Sequence, residues 1–169
     1  MFAMFKSPVV RISAIASSQI RYFSLYPPSC NRFLELVNDI RSQYPINEIT
    51  PKELQETLSS SRSNNQESDV VVIDVREKDE HLRGVIPGAI PLPRGILERD
   101  VERKVIGVDE VNKDNGKNVV VYCAGGVRSI LAAESLIRLG YKKENVKSLL
   151  GGYEGWKQSG FKTENYKES

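Results

Sequence analysis

Hydrophobic positions along the chain fall into short, separated blocks, and the two densest are β-branched. Val70 to Val75 is a six-residue apolar run broken only by Asp74, the pattern of a strand buried on both faces. Val119 to Tyr122 repeats it. The period then changes: between Ser129 and Leu139, Ile130, Ala133, Leu136 and Ile137 recur at helical spacing, and Gly140 follows as a C-cap. Val146 to Leu150 returns to a strand pattern, so residues 119–150 predict a βαβ unit with parallel strands and a right-handed crossover. Gly151-Gly152 to Trp156 predicts a turn feeding a short terminal helix.

Upstream, the pattern is weaker. Thr50-Pro51-Lys52-Glu53 is a capping box with proline at the first helical position, predicting a helix to about Leu58. Ser59 to Ser68 is polar and Ser/Asn-rich, a surface loop. Gly84 to Pro93 holds too many prolines for a central strand and predicts a turn, then a short strand at Ala89–Leu92. Gly95 to Val111 is charged and mixed, fitting one or two short helices. Residues 24–46 hold Pro27-Pro28, Cys30 and an amphipathic stretch around Phe33, Leu34, Val37 and Ile40, an arm with one helix. The expected fold class is α/β, an open, mainly parallel sheet flanked by helices.

At 169 residues, with 27% charged and 40% hydrophobic residues, the chain suits one soluble domain plus an appendage. No stretch reaches the length of uncharged apolar sequence that a membrane-spanning helix needs, so no membrane association is expected. The net charge of +2 is unevenly spread. Residues 1–23 hold Lys6, Arg11 and Arg21 and no acid; the first acidic residue is Glu35. A basic, Ser-rich, acid-free segment dotted with Phe, Val and Ile predicts a mitochondrial transit peptide and a matrix location. Arg21-Tyr22-Phe23-Ser24 resembles a matrix-peptidase cleavage pattern that leaves Ser24 first. Without that leader the 24 basic residues fall to 21 against 22 acidic ones, no basic stripe remains, and nucleic-acid binding is not expected.

Chemistry concentrates in Val119 to Ser129, VVVYCAGGVRS. The two cysteines, Cys30 and Cys123, are separated by 92 residues, and neither has a CxxC neighbour, which argues against a disulfide framework or a zinc site. No metal or cofactor is expected. Cys123 ends a predicted strand, where sites in open α/β sheets lie. Ala124, Gly125, Gly126, Val127, Arg128 and Ser129 lead from it into a helix N-terminus, whose unpaired amides and dipole favour negative charge. Two glycines let successive amides curl into an anion-binding nest, and Arg128 adds a fixed positive charge. Such a site favours a thiolate, and any anion attached to its sulfur. A small buried cysteine ending a core strand is the bland alternative.

Cys123-x-x-Gly126-x-Arg128-Ser129 resembles the active-site loop of single-domain rhodaneses, the thiosulfate sulfurtransferases. Three further family marks occur in order. Asp74-Val75-Arg76 is similar to the strand-end Asp-x-Arg. Gly84-Val85-Ile86-Pro87-Gly88-Ala89 is similar to Gly-His-Ile-Pro-Gly-Ala, with Val85 where histidine is frequent. Leu150-Gly151-Gly152-x-x-x-Trp156 is similar to the C-terminal Gly-Gly-x-x-x-Trp. The likeness spans about residues 47–160, leaving residues 161–169 as a tail. It implies a rhodanese-like domain carrying sulfane sulfur on Cys123, from thiosulfate or a related persulfide donor to cyanide, glutathione or a partner protein's cysteine. Residues 124–129 would cradle the sulfur anion, with Arg128 anchoring the loop or meeting the donor's sulfonate. Asp74 and Arg76 would support the loop and line the site's mouth, or form only a strand-end charge pair. Trp156 and Gly151-Gly152 read as packing and turn residues, and His81, in the charged segment Glu77–His81, as part of a solvated helix face. Phosphatases and arsenate reductases of the same fold, whose Cys-x5-Arg loop is one residue longer, are an alternative, as is a non-catalytic partner-binding module.

Overall fold

The computed structural model describes residues 31–63 and 69–166. The leader over residues 1–23, Cys30 and residues 167–169 lie outside the described residues. The chain runs α1 (Asn31–Gln43), β1 (Asn47–Ile49), α2 (Pro51–Ser63), β2 (Val70–Asp74), α3 (Lys78–His81) and β3 (Ile90–Pro91). It continues through a 3-10 turn (Arg94–Ile96), α4 (Leu97–Lys104), α5 (Val108–Asn112), β4 (Asn118–Tyr122), α6 (Arg128–Arg138), β5 (Val146–Leu149) and α7 (Gly152–Gln158). The five strands form one sheet in the order β1-β5-β4-β2-β3, and every pairing is parallel. β4 lies at the centre, with Val121 in register with Ile73 of β2 and Ser148 of β5.

The β-branched runs are buried on both faces because helices cover both. Along β4 and just past it, side chains alternate between two cores. Val119, Val121 and Cys123 pack with Ala132, Ala133 and Leu136 of α6 and with Leu97, Val101 and Val111. Val120 and Tyr122 pack with Leu54 of α2 and with Tyr153 and Trp156 of α7. Each fully buried Val or Leu contributes about 1.5–3 kcal/mol by leaving water, so this central strand anchors the fold.

Three elements differ from the expectation. The helix that follows Thr50 does not stop at Leu58 but runs into the expected loop as far as Ser63. Ser60 Oγ donates back to the Glu56 carbonyl at 2.9 Å, and Gln55 Nε2 donates to Ser59 Oγ at 3.0 Å, so these serines attach to the helix instead of ending it. The expected strand at Ala89–Leu92 shrinks to two residues, because prolines at 91 and 93 lack the N–H a ladder needs. Asn47–Ile49 forms an edge strand that its polar sequence did not announce. The capping box itself is present: Thr50 N donates to Glu53 Oε2 at 2.8 Å and Glu53 N to Thr50 Oγ1 at 3.2 Å.

Beyond α7 the chain runs back over the molecule. Lys162 O accepts from Trp156 Nε1 at 2.8 Å, and Phe161 packs on the same indole. Glu164 exchanges two backbone hydrogen bonds with Val85, of 2.8 and 2.9 Å, and the Tyr166 ring lies 5.3 Å from that of His81.

Candidate functional site

Cys123 stands directly after β4, fully buried, and the chain turns over it through residues 124–127 into α6. The loop is held from behind by the start of α7. Tyr153 N donates to the Cys123 carbonyl at 2.8 Å, and Glu154 N to the Ala124 carbonyl at 3.0 Å. In a trans peptide the N–H points opposite the preceding carbonyl, so the amides of Ala124 and Gly125 face away from α7. The amides of Ala124, Gly125, Gly126 and Val127 donate to no carbonyl among the described residues. Gly126 and Val127 are buried, and a buried unpaired N–H is costly unless something anionic or polar meets it.

Two glycines allow this geometry. Gly126 takes φ +82°, and an added Cβ would lie 2.9 Å from Gly151 N. Gly152 takes φ +56°, and its Cβ would collide with the Cys123 carbonyl oxygen. The Gly151-Gly152 pair therefore works as a turn, and as the surface against which the cysteine loop closes. Trp156 is a core residue, as its sequence position suggested.

Arg128 opens α6 and is gripped by α3. Its Nη1 and Nη2 donate to the two Glu80 carboxylate oxygens at 2.7 and 2.6 Å. That fork holds the Glu80 carboxyl down to about 2, the hydrogen bond from Arg128 being the main cause. Glu80 Oε2 also accepts from Glu77 N at 3.0 Å, which fixes it to the helix start. Of the two roles considered for Arg128, loop anchoring is the one with a partner in place. Glu80 was missed in the sequence because it sits in a segment where every other residue looks solvated.

Asp74 and Arg76 form a buried pair, 0% and 2% exposed, so Arg76 does not line an open mouth. Arg76 Nη2 and Nε donate to Asp74 at 2.6 and 2.9 Å, and Arg76 also donates to the Glu80 and Gly84 carbonyls at 3.2 and 2.7 Å. Its guanidinium lies 4.0 Å from the centre of the Tyr153 ring, linking β2 to α7. Tyr122 accepts from Ile86 N at 3.1 Å; burial, then the Asp74 charge, raises its hydroxyl pKa and keeps it protonated. Val85, in the position where histidine is frequent, is buried against Glu164.

His81 corrects the sequence reading. It is not on a solvated face but fully buried, its Nε2 3.7 Å from Asp74 Oδ1, and neither ring nitrogen has a hydrogen-bond partner among the described residues. Burial lowers its pKa, favouring the neutral ring. Two surface grooves lie apart from the thiol loop, one bordered by Val85, Pro91 and Tyr166, the other by Leu58, Pro87 and Phe161. Neither is lined by any of residues 123–129. No helix among the described residues is long and apolar enough to cross a membrane.

Beneath the thiol, Ser129 Oγ lies 3.8 Å from Cys123 Sγ, and Ser148 Oγ lies 2.9 Å from Ser129 Oγ. Ser148 was not singled out in the sequence; its signal was a lone hydroxyl within an apolar strand.

A profile described as rhodanese-like domain matches residues 50–159. A sulfurtransferase of Allochromatium vinosum is 32% identical over 115 residues, covering 68% of this chain and 92% of that one. A Schizosaccharomyces pombe protein provisionally named a mitochondrial thiosulfate sulfurtransferase is 30% identical over 135 residues, covering 76% and 91%. Among solved structures, a Rhodopseudomonas palustris protein of unknown function, described as a possible tyrosine phosphatase, superposes with TM-score 0.62 at 30% identity over 78% of this chain and 93% of its own.

Proposed function

Since the chain belongs to the rhodanese-like domain family, we propose that it is a sulfurtransferase working through a persulfide on Cys123. The observation that carries this reading is the buried cysteine followed by four successive amides that donate to no carbonyl among the described residues. Such amides suit a terminal sulfur anion, as an oxyanion hole suits oxygen. The ionised Cys123 sulfur attacks the outer sulfur of thiosulfate. A new S–S bond forms, the old one breaks, and sulfite departs with its electron pair. The persulfide's negative charge then rests in the cradle of residues 124–129. Cyanide, glutathione or a partner's thiolate attacks the outer sulfur and restores the Cys123 thiolate. The step is written for the thiolate, so no general base is invoked; the chain's single histidine, His81, is buried beside Asp74.

The A. vinosum and S. pombe relatives support sulfur transfer, and the S. pombe name also supports a mitochondrial location. We place the protein in the matrix on the strength of its acid-free first 23 residues. The R. palustris neighbour favours a second reading, a phosphatase. Against it, four residues separate Cys123 from Arg128, and Glu80 already occupies the guanidinium that a phosphate would need. Intact mass after incubation with thiosulfate and no acceptor tests the proposal. A gain of about 32 Da, one sulfur, is expected in wild type and in Cys30→Ser and is absent from Cys123→Ser. Release of phosphate from an aryl phosphate with no such adduct would overturn it.

A further inference from the structure

β5 pairs with strands on both sides and reads Val146-Lys-Ser-Leu149, with Ser148 fully buried. A buried hydroxyl in a central strand costs stability unless it is bonded, and an apolar residue would pack there without that cost. Ser148 is in register with Val121, two residues before Cys123, so the hydroxyl is set beside the face of β4 that carries the thiol. Its bond partner is Ser129 Oγ at 2.9 Å, which in turn lies 3.8 Å from Cys123 Sγ. The three side chains, from β5, α6 and the end of β4, are all fully buried.

A serine hydroxyl has one proton and two acceptor sites. When Ser148 donates to Ser129 Oγ, it occupies an acceptor site there and leaves the Ser129 proton free. The sulfur of Cys123, 3.8 Å away, is an anionic acceptor for that proton as thiolate or as persulfide. We propose that Ser148 is a positioning residue for the sulfur chemistry: it fixes the Ser129 hydroxyl so that it donates to the Cys123 sulfur whenever that sulfur is charged. No proton is transferred in this step; a hydrogen bond is oriented. Arg128 is paired with Glu80, and Asp74 with Arg76. This inference rests on the sulfurtransferase reading for its function, but the hydroxyl chain bears on Cys123 reactivity whatever the substrate.

The test is a double-mutant cycle of Ser129→Ala, Ser148→Ala and the pair, in a Cys30→Ser background. Two rates are read: iodoacetamide alkylation of Cys123 at fixed pH, and persulfide formation at saturating thiosulfate. A hydrogen bond to a charged group predicts a drop of roughly tenfold for Ser129→Ala. Ser148→Ala is expected to slow both rates several-fold, with the donor's KM unchanged, and to add nothing once Ser129 is gone. Ser148→Thr, which keeps the hydroxyl, is expected to restore the rates. Multiplying effects in the double variant, or an unchanged alkylation rate in Ser148→Ala, would overturn the proposal. Normal alkylation ordering without any persulfide in the wild type would instead count against sulfur transfer and leave the hydroxyl chain standing.

Discussion

At the scale of single residues, two ionisable groups give the protein opposite pH signatures to measure. Glu80 has its folded-state pKa held near 2, below the ordinary 4.5. Its pair with Arg128 therefore stabilises fully above about pH 4.5 and is lost as pH falls through about 2. Melting temperatures of wild type and Glu80→Gln are expected to differ most above pH 4.5 and to converge toward pH 2. His81 is a buried base whose pKa is lowered from 6.5. Its cost is absent above that value and grows as pH falls below it, because the unfolded chain takes up the proton first. His81→Phe keeps the ring against Tyr166 and removes the two buried ring nitrogens. Relative to that variant, wild type is expected to lose stability as pH drops below 6.5, by thermal or urea unfolding. Neither signature was legible beforehand. Glu77 to His81 is charged at nearly every position, and only the folded partners, Arg128 for one and Asp74 for the other, show which side chains turn inward.

Among the elements, the cysteine loop and the start of α7 act together. Gly152→Ala forces a left-handed backbone on a residue with a Cβ and drives that carbon into the Cys123 carbonyl. A loss of at least about 2 kcal/mol is expected, read by denaturant unfolding, with persulfide formation falling more steeply than stability. A glycine inserted between Ala124 and Arg128 is expected to depress sulfur transfer by enlarging the cradle. Unchanged thiosulfate kinetics would show that loop length does not set the preference. The βαβ core over residues 119–150 was readable from hydrophobic period alone, because long apolar runs leave one solution per segment. β1 was not, being three residues long and defined by its neighbour's ladder, whereas β3 was expected over Ala89–Leu92 and keeps only two of those residues. The extension of α2 escaped notice because serines signal loops in sequence, whereas here their hydroxyls bond to the helix.

For the whole molecule, the first 23 residues predict a removable leader. N-terminal sequencing of the protein from purified mitochondria is expected to begin at or near Ser24. Recovery of an intact Met1 terminus would argue against import with cleavage. The sheet order carries a further consequence, one of timing during synthesis. β1 is the first strand of the described residues to be made, and its one neighbour among them is β5, with Asn47 aligned to Lys147. A ribosome adding roughly 5–20 residues per second leaves that edge waiting for seconds before its partner exists. A nascent chain stopped before Val146 already contains Cys123 and Arg128. It still lacks β5, one of the two strands beside β4, the hydroxyl of Ser148 and the α7 amides that hold the loop from behind. Such a chain is expected to remain protease-sensitive and unreactive toward thiosulfate, so that sulfur loading begins only once the residues of β5 and α7 have been released.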